Sequence, residues 1–159
     1  IDVGAWCGTW SKLIEPYARK VVAFEPDPLH FHCLQKNCTI NCDPRQEAVG
    51  NENKNISLTD NNFTQQKRVI GDGNIPMVRL DDLDYHDVDL IKIDVEGYEL
   101  EVLKGAENTL QRAKYVMIEL NGNTEKYGVS KEECIKFLKK QGYKMLMKEW
   151  PDTIFYRIK

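Results

Sequence analysis

The run Ile1-Asp2-Val3-Gly4-Ala5-Trp6-Cys7-Gly8-Thr9-Trp10 carries a D-x-G-x-x-x-G pattern. Its first four residues have the character of the end of a buried strand. The residues after Gly8 have that of a helix, with Trp10, Leu13, Ile14 and Tyr17 at the i, i+3, i+4, i+7 spacing of an apolar stripe. A glycine turn between strand and helix is where open α/β sheets let a backbone approach a ligand closely. Read this way, the opening predicts a Rossmann-like α/β fold.

The rest of the chain agrees with that prediction. Lys20–Phe24 (KVVAF) is a short buried strand ending at Glu25, and Pro26-Asp27-Pro28 launches a second helix through Leu34. A third strand is expected around Gln46 to Val49. Residues 50–76 are polar and Asn-rich, which suggests a loop with one or two short strands. Val88–Asp94 (VDLIKID) is a strand of β-branched residues, and Tyr98 to Ala113 a helix with Val102, Leu103, Ala106 and Leu110 inward. Tyr115–Leu120 forms another strand. Ser130 and Glu133 are spaced as a capping box for a helix that ends at Gln141-Gly142. Tyr143–Glu149 and Thr153–Ile158 close the chain as a hairpin around Trp150-Pro151-Asp152. The expected architecture is one domain over residues 1–159, a mostly parallel seven-stranded sheet with a C-terminal antiparallel hairpin and helices on both faces. The text begins inside a strand, so the start of that strand and whatever precedes it are expected to lie outside it.

Composition narrows the class. The 159 residues carry a formal net charge of -3, with no basic field to gather phosphates, so no nucleic-acid partner is expected. No apolar run approaches the roughly 18 residues of a membrane span, and a cytoplasmic location follows from composition alone. Oligomeric state is not legible. The five cysteines are odd in number and irregularly spaced, unlike a disulfide framework. HFHCLQKNCTINC (residues 30–42) has no C-x-x-C pair, so a zinc site there is a minor reading, and the sequons at Asn37, Asn55 and Asn62 are weak. His86, in a polar loop, reads as a surface side chain.

The chemistry concentrates at the strand ends. A pyrophosphate fingerprint G-x-G-x-x-G would place glycine where Trp6 stands, and Asp2 would repel a pyrophosphate. An acid there suits a cofactor with an ammonium and a sulfonium, such as S-adenosylmethionine. Glu25, about 20 residues past the glycine turn, stands where an acid can accept both hydroxyls of a ribose.

Asp2-Val3-Gly4-Ala5, Val22-Ala23-Phe24-Glu25-Pro26, Ala48-Val49-Gly50, Leu80-Asp81, Lys92-Ile93-Asp94-Val95-Glu96-Gly97-Tyr98-Glu99 and Val102-Leu103-Lys104-Gly105-Ala106 occur in an order that resembles the FkbM family of methyltransferases. The resemblance runs from residue 1 to about residue 121. It implies a class I methyltransferase fold, S-adenosylmethionine as cofactor, and O-methylation of a hydroxyl on a sugar, glycan or small natural product. By position, Asp2, Gly4, Ala5 and Trp6 would line the methionine end of the cofactor, with Gly8 and Thr9 completing the turn. Glu25 would hold the ribose with Pro26 and Asp27 beside it, and Glu47, Ala48 and Val49 would meet the adenine. Many members carry Asn or His where Trp6 stands, so an indole in this turn is a departure. Asp94 and Glu96 would face the transferring methyl, Glu96 as the first choice of catalytic base and Asp94 the second. Glu96 could also serve the N-terminus of the helix near Tyr98. Asp94, Glu119 and Asn121 could together offer hard oxygen ligands to magnesium, an addition that is not favoured.

Two other classes share the fold logic. An NAD-type oxidoreductase would use Glu25 but lacks the phosphate-compatible glycines. A non-catalytic binding module would have no need of the strand-end acids. An amino acceptor, as in DNA or protein-amide methyltransferases, is disfavoured because Asp94-Val95-Glu96-Gly97 replaces the N/D-P-P-Y segment common there.

Overall fold

The computed structural model describes residues 1–59 and 67–158. Among the described residues ten strands and five α-helices follow one another as β1 (Asp2–Val3), α1 (Thr9–Ile14), β2 (Val21–Phe24), α2 (Pro28–Asn37), β3 (Cys42–Arg45), β4 (Ala48–Val49), β5 (Lys54–Leu58), β6 (Val69–Val78), β7 (Leu90–Ile93), α3 (Glu99–Lys104), α4 (Glu107–Leu110), β8 (Tyr115–Glu119), α5 (Lys131–Lys140), β9 (Tyr143–Glu149) and β10 (Asp152–Arg157). Seven of the strands form the large sheet, in the order β3-β2-β1-β7-β8-β10-β9. The five strands from β3 to β8 are mutually parallel, and β10 runs antiparallel to both β8 and β9. The order reverses direction at β1, so the crevice beyond the carboxyl ends of β1 and β7 is the expected ligand position.

Alternation along the strands places helices on both faces. On β2, Val22 and Phe24 enter the main core with Val102, Leu103, Leu110 and Leu138 from α3, α4 and α5, whereas Ala23 packs with Ala5 and Leu34 on the opposite face. Ser130 accepts from the Glu133 amide while Glu133 takes the Ser130 amide, so the predicted capping box opens α5.

Four local expectations are corrected. The α1 stripe does not face inward: the helix is six residues long, Leu13 is 70% and Tyr17 85% exposed, and the side chain pointing in is Ser11, bonded to Asp2. The third strand of the large sheet is Cys42–Arg45, whose Pro44 is tolerated on an edge, whereas Ala48–Val49 pairs with Met77–Val78 in a separate three-stranded sheet β4-β6-β5. The polar stretch 50–76 does carry two strands, β5 and most of β6, paired antiparallel in that sheet. The helix expected over 98–113 is two short helices, because the Asp81 carboxylate takes the amides of Asn108 and Thr109 and the Thr109 hydroxyl and so caps α4 anew. Cys38 and Cys42 are disulfide-bonded between α2 and β3, a pairing the odd cysteine count did not suggest. His30 is buried and His32 exposed, so the two histidines of that run do not converge. The sequon at Asn62 lies outside the described residues.

Candidate active site

A cavity of about 240 Å³ opens beyond the carboxyl ends of β1, β2 and β7. Its floor is the turn after β1. The amides of Gly4 and Ala5 both donate to the Phe24 carbonyl, so the chain folds tightly over β2. Gly4 has φ +80°, and a Cβ there would stand 1.9 Å from the Asp94 carbonyl oxygen, so only glycine lets β1 and β7 close this end. Trp6 follows in the left-handed region with φ +50°, a strained position for a bulky residue. Its ring meets His30 edge to face with centroids 6.2 Å apart.

Glu25 is 6% exposed and rigidly held. One carboxylate oxygen accepts the Trp6 amide at 2.8 Å and the other the Asp27 amide at 2.9 Å, and His30 Nδ1 lies 3.6 Å from it. Glu25 raises the His30 pKa above its ordinary value against the opposing effect of burial. A carboxylate has about four lone-pair sites, so two remain for a ligand. Pro26, Glu47, Ala48 and Val49 also line the cavity, as do Leu58 and Val69 of the same small sheet as Ala48 and Val49.

Several predicted residues support the cavity without lining it. Asp2 is 0% exposed: it accepts the Ser11 hydroxyl at 2.6 Å and lies 3.6 Å from Lys92 Nζ. Ala5 is core, Gly8 is the left-handed N-cap of α1, and Thr9 opens that helix on the surface. Asp27 caps α2 through the amides of Leu29 and His30.

At the other end stand Asp94, Glu96 and Glu119. Lys92 Nζ approaches Asp94 at 3.2 Å and lies 5.9 Å over the Trp10 ring, tying Asp2 and Asp94 through one buried cation. Glu96 has φ +56° and takes the Asn123 side-chain amide at 2.7 Å. Partial burial and the Asp94 charge push its pKa up, with Lys126 and Arg68 opposing. Burial and the Asp94 carboxylate beside it push the Glu119 pKa well up, which favours its protonated form. Of the oxygen set read for magnesium, Asp94 and Glu119 line the cavity side by side, whereas Asn121 accepts the Asn123 amide and does not line it. Among the described residues no group of three or more His, Cys, Asp or Glu side chains is arranged to hold a metal ion. His86 is exposed beside Asp84, away from the cavity.

Sequence reasoning missed Lys92, Lys67, His30 and Asn123 as members of this region. Lys67 lines the cavity 3.7 Å from Asp27. A single lysine in a polar stretch gives no signal. Lys92 did give one, since a lysine within VDLIKID must find a carboxylate if the strand is buried. No helix is long and apolar enough to cross a membrane among the described residues.

Comparison with known proteins agrees with this fold. A 30% identity over 141 residues, 82% of this chain, relates it to the hexuronic acid methyltransferase AglP of Haloferax volcanii. The chain spans 59% of that protein's length. Among solved structures it resembles the methyltransferase FkbM of Methylobacillus flagellatus, with TM-score 0.64, 19% identity, and coverage of 98% of this chain and 42% of that one. It also resembles the magnesium protoporphyrin IX methyltransferase of Synechocystis with bound S-adenosylmethionine, with TM-score 0.58, 10% identity, and coverage of 99% and 68%. Residues 2–145 match the methyltransferase FkbM domain family, and the chain belongs to that family.

Proposed function

We propose that this domain binds S-adenosylmethionine in the cavity and transfers its methyl group to a hydroxyl of a uronic acid or related sugar. The observation that carries the reading is the distribution of acid in the cavity: Glu25, locked by two backbone amides at one end, and Asp94, Glu96 and Glu119 at the other. Two buried polar atoms in its walls, Trp6 Nε1 and His30 Nε2, have no partner among the described residues, as expected of a pocket built for a polar ligand. When bound, the cofactor supplies an electrophilic methyl on a positively charged sulfur with a good thioether leaving group. Glu25 accepts the ribose hydroxyls on its remaining lone pairs, and Ala48 and Val49 give the adenine an apolar wall.

The protein's part is alignment, exclusion of water and removal of one proton. A sugar hydroxyl is a poor nucleophile, and Glu96 takes its proton as the oxygen attacks. Its raised pKa makes it a stronger base than an ordinary surface carboxylate. Asp94, anchored by Lys92, is poised to orient the acceptor. The uronic acid is suggested by the hexuronic acid methyltransferase at 30% identity, and a cation facing the base side, Arg68 or Lys126, could meet its carboxylate.

Calorimetric titration of S-adenosylhomocysteine into the folded protein, with NADH as control, tests the cofactor assignment. Binding of S-adenosylhomocysteine and not NADH is expected. The opposite preference would make this an NAD-type domain, and no binding of either would make it a non-catalytic module.

A further inference from the structure

Glu99 is 2% exposed, although it stands at the first residue of α3, a position usually solvated. Its carboxylate turns back under the loop that joins β7 to α3. One oxygen accepts the amides of Gly97 at 3.0 Å and Val95 at 3.3 Å, and the other is buried with no partner among the described residues. Both amides lie outside the helix, and no side chain caps α3. The carboxylate therefore ties the loop to the start of the helix.

The loop needs organising. Glu96 sits in the left-handed region, which is strained for a non-glycine residue and persists only where surroundings enforce it. Gly97 follows with φ +111°, packed so closely on the next loop that a Cβ would stand 2.4 Å from the Asn123 carbonyl oxygen. Asn123 then donates its side-chain amide to Glu96. The backbone on both sides of Glu96 is thus held from beneath, and its carboxylate is held from across the cleft.

We propose that Glu99 is a positioning residue that holds the Asp94–Gly97 loop in the turn presenting Glu96 to the acceptor hydroxyl, with Asn123 fixing the orientation of that carboxylate. The inference rests on Glu96 being the base. Burial pushes Glu99 up to about 7, so a large share of the carboxyl is protonated at neutral pH. A glutamine can then take its place, because its carbonyl still accepts both amides.

The test is a double-mutant cycle of Glu99→Ala and Glu96→Gln, with Glu99→Gln as rescue. Methyl transfer is measured from S-adenosylmethionine to methyl β-D-glucuronide, S-adenosylhomocysteine affinity is measured by calorimetry, and Gly97 amide exchange is followed by NMR. Glu99→Ala is expected to lower kcat about 10- to 100-fold, the scale of a misplacement near 1 Å, with cofactor affinity within about threefold of the parent. Glu99→Gln should restore kcat, and the double variant should be no slower than Glu96→Gln alone. An equal further loss when Glu99→Ala is added to Glu96→Gln would overturn the proposal and leave the base assignment standing. An unchanged kcat in Glu96→Gln would remove the base, and this inference with it. Should the glucuronide not be methylated, Gly97 exchange decides: acceleration in Glu99→Ala with core amides unchanged supports the clamp, and unchanged protection overturns it.

Discussion

Glu25→Gln looks conservative, and the geometry says it is not. Both oxygens of Glu25 already accept a backbone amide, from Trp6 and from Asp27. A glutamine has one acceptor oxygen, so its NH2 must face one of those two N–H groups, and the turn or the side chain must move. Leaving a buried amide unsatisfied costs about 1–3 kcal/mol, which appears as lower stability of the free protein. The ribose contact is a separate effect: losing one hydrogen bond to a charged acceptor removes about 1.5–3 kcal/mol of binding, a factor of roughly 10 to 150 in Kd. Glu25→Ala should lose at least as much, because no acceptor remains. The assay is calorimetric titration of S-adenosylhomocysteine, alongside near-UV circular dichroism to establish folding. Folded Glu25→Gln and Glu25→Ala proteins that bind within about threefold of the parent would refute the argument that this carboxylate holds the ribose.

Gly4→Ala should destabilise the fold by more than about 2 kcal/mol or prevent soluble expression, since the new Cβ would overlap the Asp94 carbonyl; an ordinary urea midpoint would contradict the close approach of β1 and β7. Lys92→Met leaves the buried Asp2 without its cation and should cost about 3–5 kcal/mol in urea unfolding, whereas a loss under about 1 kcal/mol would mean the pair is solvated. Glu99 gives a pH dependence of definite sign. Its folded pKa, about 7, lies above the ordinary 4.5, so the native state binds the extra proton; the contribution is full below 4.5 and is lost as pH rises through 7. The parent should therefore lose up to about 3 kcal/mol of stability relative to Glu99→Gln between pH 4.5 and 7, measured by urea unfolding of both across that window, and a parent that holds or gains stability relative to the variant would show the carboxyl is not raised.

Much of this was legible in the sequence where local chemistry and tertiary role coincide. The glycine turn, the acid ending β2 and the VDLIKID strand state their environment directly, and Glu25, Asp94 and Glu96 all line the cavity. The failures share a cause, which is that the outcome was set by residues distant in sequence. Leu13 and Tyr17 satisfy a helical stripe, but α1 stops before Pro16 and the inward position goes to Ser11 because Asp2 lies beneath it. Cys42–Arg45 is too polar to read as a strand, and it pairs because β2 offers it an edge. Asp2 reads as a ligand acid, yet Ser11 and Lys92 consume it. Asn123 has no motif at all; its role exists only because the turn after β8 meets the loop after β7.

The central claim is that this cavity moves a methyl group from a sulfonium to a sugar oxygen. The direct measurement supplies S-adenosylmethionine labelled with tritium in its methyl, offers methyl β-D-glucuronide as acceptor, and separates the products. The expected products are a tritiated methyl ether on a former hydroxyl oxygen of the glucuronide and equimolar S-adenosylhomocysteine, both lost in Glu96→Gln. Tight binding of S-adenosylhomocysteine by a folded protein that transfers no label to this or any other hydroxyl-bearing sugar would contradict it.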